Sequence, residues 1–303
     1  MIRRVCIAIL GRFVNAVWGR TLGNTDCMRK MPSGIVTWTR YLVNHYIKGM
    51  NVSRPSVFIV GCGHSGTTLL RQILGAHSLI YDIPYESRLG LKNNPKRLIA
   101  YFDRLAICEK KTRWVEKTPR HIHCIPQLLE LLPDAKILII LRDGRDVACS
   151  IKDRHGDIEE AITRWVEDNL AGEAYWQHPN VYVLKYESII EDFEGTIATV
   201  LDFIGEEYEP AMHEYHRMNS PNQAERISKP PSPNGKNHNR YRRWQISQPL
   251  FDGRGKWKGM TDEEKRIVQE HAGEMLARYG YADGDWDSTP VVRHDSSEVG
   301  KAV

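Results

Sequence analysis

Residues 61–68, with the sequence GCGHSGTT, carry the clearest chemical pattern in the chain. Gly61 and Gly66 have the G-x-x-x-x-G spacing of a phosphate-binding loop. Small residues let backbone N–H groups converge on an anion, and a helix that starts here adds positive potential. A nucleoside triphosphatase needs a Lys at the place of Thr67. The segment therefore predicts a phosphate held by amides and hydroxyls, and a glycine turn without a ligand is the alternative.

A second segment, RDGRDVACS at residues 142–150, follows the most apolar run of the chain at 136–141. If that run is a strand of a parallel sheet, Arg142 lies at its carboxyl end, where ligands of such sheets bind. Ser150 follows about two helical turns later. The planar fork of Arg suits a phosphate group. Taken alone, this segment is better explained as a solvated Arg/Asp salt-bridge cluster, but its pairing with the glycine loop favours a phosphate site.

The apolar patterns around these segments predict alternating strands and helices. Strands are expected over 56–60, 136–141 and 181–186, with a weaker candidate at 114–116. Helices are expected over 67–77, 122–132, 194–204 and 261–279, and another begins at Val147. Thr261 and Glu264 form a capping-box pattern. This alternation predicts an α/β three-layer sandwich with a mainly parallel central sheet.

The composition is that of a folded globular protein. The 303 residues carry a net charge of +4, and eight Trp, thirteen Tyr and six Phe exclude a chain that is disordered throughout. The six cysteines form no CxxC pair and no zinc spacing, which favours a reducing compartment and a cytoplasmic location. The mild basic excess permits an anionic partner without identifying one.

Three segments flank or interrupt the predicted domain at 55–282. Residues 1–54 are predicted to be a helical extension, whose residues 1–20 either pack on the domain or contact a membrane surface, because Arg12 makes their apolar run too short to span one. Residues 218–245 are rich in Pro, Asn, Lys and Arg and predict a mobile loop. Its few aromatic residues do not indicate nucleic-acid binding. The polar residues 283–303 predict a disordered tail.

With these segments in place, the chain resembles the sulfotransferases that use 3′-phosphoadenosine 5′-phosphosulfate (PAPS). The GCGHSGTTLLRQIL segment resembles their 5′-phosphosulfate loop, and ILRDGRDVACS resembles their 3′-phosphate motif. EKTP at 116–119, KYESII with VLDFIG, and GKWKGMTDEE resemble further motifs of the family in the same order. The resemblance implies a P-loop-like nucleotide-binding fold over 55–282.

The resemblance also implies which residues hold the donor. The 5′-phosphosulfate would be bound by Gly63, His64, Ser65, Gly66, Thr67 and Thr68. The 3′-phosphate would be bound by Arg142, Ser150 and Arg154, the last being one helical turn beyond Ser150. Tyr186 matches a position near the adenine, and Lys256 matches a donor-contacting Lys of the tyrosylprotein-type branch.

The two branches of the family that the chain resembles use different catalytic bases. Cytosolic-type members have a His two places after the Lys that corresponds to Lys117, and here that place is Pro119. Residues 85–88, YESR, instead resemble the E-E-T-R run of the tyrosylprotein-type branch, which makes Glu86 the expected base. Lys117 would stabilise charge on the oxygen that leaves with the phosphate. Arg88 would orient Glu86 or bind an acidic acceptor, unless the two are only an exposed pair at a helix start.

His64 departs from the family pattern, which has Arg or Lys at this place. A neutral His donates one hydrogen bond and is cationic only if its pKa is raised. His64 is therefore expected either to assist catalysis with a pH-dependent contribution or to be a passive loop residue, with Lys117 carrying the charge alone.

The expected function is transfer of a sulfuryl group from PAPS to a hydroxyl-bearing acceptor, with PAP as product and no metal. The acceptor classes are carbohydrate, lipid, tyrosine and small metabolite. Two alternatives use the same scaffold. A kinase is disfavoured by Thr67 at the Lys position, and a non-catalytic PAP- or PAPS-binding protein is disfavoured by the presence of Glu86 and Lys117.

Overall fold

The computed structural model describes residues 52–217, 244 and 247–281, and a five-stranded sheet lies at its centre. The strands are β1 (Val57–Val60), β2 (Ile80–Asp82), β3 (Arg113–Lys117), β4 (Lys136–Leu141) and β5 (Val181–Lys185). Their order is β2-β3-β1-β4-β5, and every pairing is parallel. The structure thus confirms the α/β class and the predicted parallel sheet.

Eight α-helices of the described residues connect or cover these strands. They are α1 (Thr67–Gly75), α2 (Pro95–Cys108), α3 (Ile125–Leu131), α4 (Gly144–His155), α5 (Ile158–Glu173), α6 (Tyr186–Glu191), α7 (Phe193–Ile204) and α8 (Asp262–Arg278). Short 3₁₀ helices cover Leu89–Leu91, Pro119–Cys124, Pro210–Arg217 and Lys256–Gly259.

Both faces of the sheet are buried, as the residues of β1 show. Val57 and Ile59 belong to one apolar cluster together with residues of α1 and α7. Phe58 and Val60 point to the other face and belong to a cluster with residues of α2 and α3. All four are fully buried, which explains why the strand shows no polar alternation in the sequence. The helix–sheet–helix layering confirms the predicted three-layer sandwich.

The order of the strands creates a crevice between the carboxyl ends of β1 and β4. After β1 the chain crosses to β2 on one side of the sheet, and after β4 it crosses to β5 on the other. Ligands of open parallel sheets bind where the connections diverge in this way. Both segments with a predicted phosphate function start at this crevice, because residues 61–66 follow β1 and Arg142 follows β4.

Several elements differ from the sequence predictions. The predictions omit β2, α2, α5 and α6, and the predicted strand 181–186 includes Tyr186, which is the first residue of α6. The predicted helix 122–132 is wrong over its first residues. Residues Pro119–Cys124 form a 3₁₀ helix, and α3 begins at Ile125, where Pro126 occupies the first turn because its missing N–H needs no partner there. The capping box of α8 is confirmed: Glu264 N donates to Thr261 Oγ1 at 3.3 Å, and Thr261 N donates to Glu264 Oε2 at 3.0 Å.

The predictions for 1–54, 218–245 and 283–303 lie almost entirely outside the described residues and stay predictions. Within the part that the structure describes, no helix combines the length and the apolar character needed to cross a bilayer.

Gly144, the first residue of α4, offers a direct test of the packing between α4 and α5. A Cβ on Gly144 would lie 2.7–2.9 Å from ring atoms of the buried Trp165. We expect Gly144→Ala to lower the free energy of unfolding by about 1–3 kcal/mol, because the ring has no room to move. Urea denaturation measures the change.

Gly259→Ala is the matched control, since no atom lies within 4 Å of a Cβ at that position. Its effect should stay within about 0.5 kcal/mol. Equal free energies of unfolding of the two variants would show that Trp165 of α5 does not pack closely against Gly144 of α4.

Candidate active site

The loop between β1 and α1 has the backbone of an anion-binding turn. Gly61, His64 and Gly66 all have positive φ angles, of 143°, 73° and 95°. Gly66 is the N-cap residue of α1, so the loop ends at the positive end of that helix dipole. A Cβ on Gly66 would lie 2.7 Å from the ring of Tyr186, so only glycine allows the loop and this ring to approach so closely.

Two buried polar atoms in the crevice lack hydrogen-bond partners among the described residues. They are the Oγ of Ser65, whose residue is 1% exposed, and the Nε of Arg142, whose residue is 8% exposed. A buried polar group without a partner costs about 1–3 kcal/mol. An anionic ligand would satisfy both atoms, so these residues fit a phosphate-bearing donor.

Arg142 connects three parts of the site. Its Nη1 donates to the carbonyl of His64 at 3.2 Å, and its Nη2 donates to the carbonyl of Gly253 at 2.7 Å. Its guanidinium also lies over the ring of Tyr186, with 4.3 Å between the Cζ and the ring centroid. Burial raises the pKa of Tyr186, so the ring is an uncharged surface. Arg142, which is predicted to bind the 3′-phosphate, is therefore in contact with Tyr186, which is predicted to lie near the adenine.

The segment that carries Lys256 lies along one face of α4. Asp146 accepts hydrogen bonds from the amides of Gly255 and Trp257 at 3.0 and 3.3 Å. Ser150 and Arg154 follow Asp146 by one and two turns on the same face.

Lys256 reaches this face too, because its Nζ lies 3.6 Å from a carboxyl oxygen of Asp153. No contact among the described residues joins Ser150 or the exposed Arg154 to Arg142. The structure thus brings Lys256 to the helix of the predicted 3′-phosphate site, and the joint action of these residues stays a prediction.

Glu86 and Lys117 form an ion pair, with 2.5 Å between the Nζ and the Oε1. The Lys117 side chain is 4% exposed and that of Glu86 is 36% exposed, so the pair reaches from the protein interior to the surface. Lys117 is the last residue of β3 and is paired with Ile59 of β1, two residues before the glycine loop. The predicted base and the predicted cation therefore lie at the same edge of the sheet as the loop.

Sequence reasoning missed the buried carboxylate that positions this pair. Glu116 is fully buried, and its Oε1 accepts from the amide of Ser87 at 2.8 Å and from the hydroxyl of Thr118 at 2.6 Å. Its Oε2 lies 3.2 Å from the Nδ1 of the buried His121. Because Ser87 is next to Glu86, and Glu116 is next to Lys117, this network sets the positions of both partners. A charged residue within the weakly predicted strand 114–116 is the signal that could have revealed it.

Arg88 is exposed and follows Ser87 in a left-handed conformation, with a φ of 51°. Its amide donates to the hydroxyl of Thr118 at 3.3 Å. Arg88 is therefore not part of an α-helix start, since only a 3₁₀ turn at Leu89–Leu91 follows it. Its side chain is exposed to solvent, and its predicted role toward an acceptor stays a prediction.

The comparisons with known proteins agree with this geometry. A family model described as "Sulfotransferase family" matches residues 55–104 and 93–210, just over half of the chain. A protein-tyrosine sulfotransferase A of Caenorhabditis elegans is 24% identical over 280 residues, covering 77% of this chain and 69% of that protein.

Two further relatives differ in how much of their length is matched. An uncharacterized protein of Aquifex aeolicus (strain VF5) is 27% identical over 211 residues, and the match covers 56% of this chain but only 28% of that protein. The crystal structure of a mouse sulfotransferase complexed with PAP superposes with a TM-score of 0.50 at 16% identity, covering 77% of this chain and 92% of the other. At this identity the superposition shows a shared fold.

Asp82, at the end of β2, gives this edge of the sheet a pH-dependent stability. Burial raises its pKa to about 6, although the positive charges of Arg71 and Lys117 oppose the shift. The Nε of Arg71 lies 3.2 Å from the Asp82 carboxylate. Since the pKa of an unfolded Asp is about 3.9, the folded state binds more protons between about pH 4 and 6. The contribution of Asp82 to stability is therefore full below this window and is lost as the pH rises through it.

We expect Asp82→Asn to remove this dependence. The stability of the wild type relative to the variant should fall by up to about 1.4 kcal/mol per pH unit between about pH 4 and 6. Urea denaturation of both proteins across that range measures the difference. A difference in stability that is constant with pH would mean that Asp82 titrates normally.

Proposed function

Because this chain belongs to the sulfotransferase family, we propose that it transfers the sulfuryl group of PAPS to a hydroxyl group of an acceptor. The observation that carries the proposal is that the glycine loop, Arg142 and the Glu86–Lys117 pair all lie at the carboxyl ends of neighbouring strands. The glycine loop and Arg142 face one crevice with buried donors that lack partners, and the Glu86–Lys117 pair lies at the end of the adjoining strand β3.

The donor would lie across the crevice between β1 and β4. Gly63 to Thr68 would bind the 5′-phosphosulfate through backbone amides and hydroxyls, with the dipole of α1 behind them. Arg142, with Ser150 and Arg154, would bind the 3′-phosphate. The Tyr186 ring, which lies under the Arg142 guanidinium, would support the adenine. Lys256 would approach from the face of α4 that carries Ser150 and Arg154.

In the proposed reaction the acceptor oxygen attacks the sulfur atom in line with the leaving group. The acceptor O–H proton passes to the Glu86 carboxylate, and a new oxygen–sulfur bond forms. The bond from sulfur to the oxygen of the 5′-phosphate breaks, and its electron pair stays on that oxygen in PAP. Lys117, next to Glu86 and buried, would donate a hydrogen bond to this oxygen as its charge grows.

This arrangement requires Glu86 and Lys117 to exchange partners during the reaction. In the structure they bind each other, so the acceptor hydroxyl and the leaving oxygen would have to replace these contacts. The Glu116 network supports such an exchange because it fixes the backbone at Ser87 whether or not the ion pair is formed. The site must also hold the acceptor hydroxyl in line with the donor, and such positioning supplies much of the rate enhancement of group transfer.

Two features bear on the acceptor. The exposed Arg88 next to Glu86 would attract an acceptor with negative charge near its hydroxyl. The similarity to a protein-tyrosine sulfotransferase supports screening protein tyrosine beside carbohydrate, lipid and small-metabolite hydroxyls.

The test is transfer of radiolabelled sulfate from PAPS to these acceptor classes. With an acceptor found, we expect Glu86→Gln to lower kcat by about 10²–10⁴-fold, because the amide cannot take the proton. PAP binding should change less than about twofold, since Glu86 does not hold the nucleotide in this scheme. Glu194→Gln is the matched control, because Glu194 is an exposed carboxylate on α7.

Full activity of Glu86→Gln would remove Glu86 from the role of base. If the wild type binds PAP yet transfers no sulfate to any acceptor class, the result would contradict an enzymatic function and favour a non-catalytic PAP- or PAPS-binding protein. Magnesium-dependent turnover of ATP without turnover of PAPS would contradict the proposed sulfotransferase activity and favour a kinase.

A further inference from the structure

Arg164, on helix α5, packs against the glycine loop. A Cβ on Gly63 would lie 2.9 Å from the Nη2 of Arg164 and 3.6 Å from its Cζ. The end of the guanidinium therefore lies against the backbone of the loop, in space that a Cβ at position 63 would partly occupy. Sequence reasoning missed this residue because it did not predict α5, although Asp157 and the apolar spacing of Ile158, Ala161, Ile162 and Trp165 mark that helix.

A buried carboxylate holds Arg164 in this position. The Nε of Arg164 lies 3.4 Å from the Oδ2 of Asp168, one helical turn later. The other oxygen of Asp168 lies 2.6 Å from the Nε2 of His123. Burial raises the pKa of the nearby Cys62 thiol, and the charge of the Asp168 carboxylate raises it further. Asp168 thus connects Arg164 of α5 to His123, in the segment that follows β3.

The guanidinium retains donors for a ligand. Within residues 52–217, 244 and 247–281, Arg164 makes the ion pair with Asp168 and no hydrogen bond, and its side chain is 36% exposed. Its pairing uses Nε, which leaves the two terminal nitrogens beside the loop. Arginine stays charged at every physiological pH, whereas a histidine such as the neighbouring His64 is cationic only when its pKa is raised.

The position along the loop indicates which end of the donor Arg164 would meet. Tyr186, the predicted neighbour of the adenine, packs on Gly66, so the nucleoside is expected at that side of the loop. Arg164 lies at Gly63, three residues earlier in the loop, and Arg142 reaches the carbonyl of His64 between them. Through Asp168, Arg164 is joined to His123, six residues after Lys117. Its guanidinium therefore lies at the part of the loop away from the Tyr186 ring and is connected to the segment that follows Lys117.

We propose that Arg164 binds the sulfuryl end of the donor and supplies the permanent positive charge that His64 lacks. The inference rests on the proposed function and deepens it. The planar fork of Arg164 would donate to oxygens of the sulfuryl group, and these contacts would be kept as the group moves to the acceptor. Asp168, held by His123, is then a positioning residue for that fork.

A comparison of the affinities for PAP and for PAPS distinguishes a contact with the sulfuryl group from donor binding in general, because PAP has the 5′-phosphate and lacks the sulfate. Calorimetric titration of Arg164→Gln should show PAPS binding weakened about tenfold, with PAP binding within about twofold of the wild type. Arg164→Lys keeps the charge but not the fork, so its PAPS affinity should be intermediate. Arg266→Gln, at an exposed position of α8, removes the same charge away from the site and should bind both ligands as the wild type does.

Unchanged PAPS affinity in Arg164→Gln would overturn the inference, and so would an equal loss of PAP and PAPS affinity. Thermal denaturation monitors folding, and if Arg164→Gln fails to fold, the PAPS-to-PAP affinity ratio of Arg164→Lys decides the question in the same way. A wild type that binds neither PAP nor PAPS would contradict the proposed function itself, which this comparison distinguishes from a failure at Arg164 alone.

Discussion

The arrangement of the site depends on one buried guanidinium. Arg142 leaves the end of β4 and donates to the carbonyls of His64 and Gly253, so it joins the glycine loop to the segment that carries Lys256. Its stacking on Tyr186 adds a third attachment. A planar group with five donors in fixed directions can make all these contacts and still leave Nε for a ligand, which a lysine at this position could not do.

The sheet supplies the second constraint, because it sets where the reacting groups can be. β1 lies between β3 and β4, so the loop after β1 is flanked by Lys117 on one side and Arg142 on the other. The buried Glu116 and Asp168 then perform similar tasks at two places. Each accepts contacts from several groups and thereby fixes the backbone or side chain next to a proposed catalytic residue.

Four of the five strands and the loop could be predicted from the sequence, since apolar runs and glycine spacing are local signals. Glu86 and Lys117 were identified only through the family resemblance, and their ion pair was not predicted, because 31 residues separate the two in the chain. Arg164 and Glu116 were missed for a different reason. Their roles arise from contacts with Gly63 and Ser87 that no local pattern contains. The left-handed backbone of Arg88 excludes the alternative that it and Glu86 are an exposed pair at a helix start, and its role toward Glu86 or an acceptor stays a prediction.

The central claim is that Arg142 and the glycine loop form one site for a nucleotide with both a 3′- and a 5′-phosphate. Calorimetric titration with PAP, with adenosine 5′-monophosphate and with ATP tests it most directly, because the first two ligands differ only in the 3′-phosphate. The account predicts that PAP binds about ten- to a hundredfold more tightly than either, and that Arg142→Gln removes most of this difference. Equal affinity for PAP and adenosine 5′-monophosphate, or tighter binding of ATP, would contradict it.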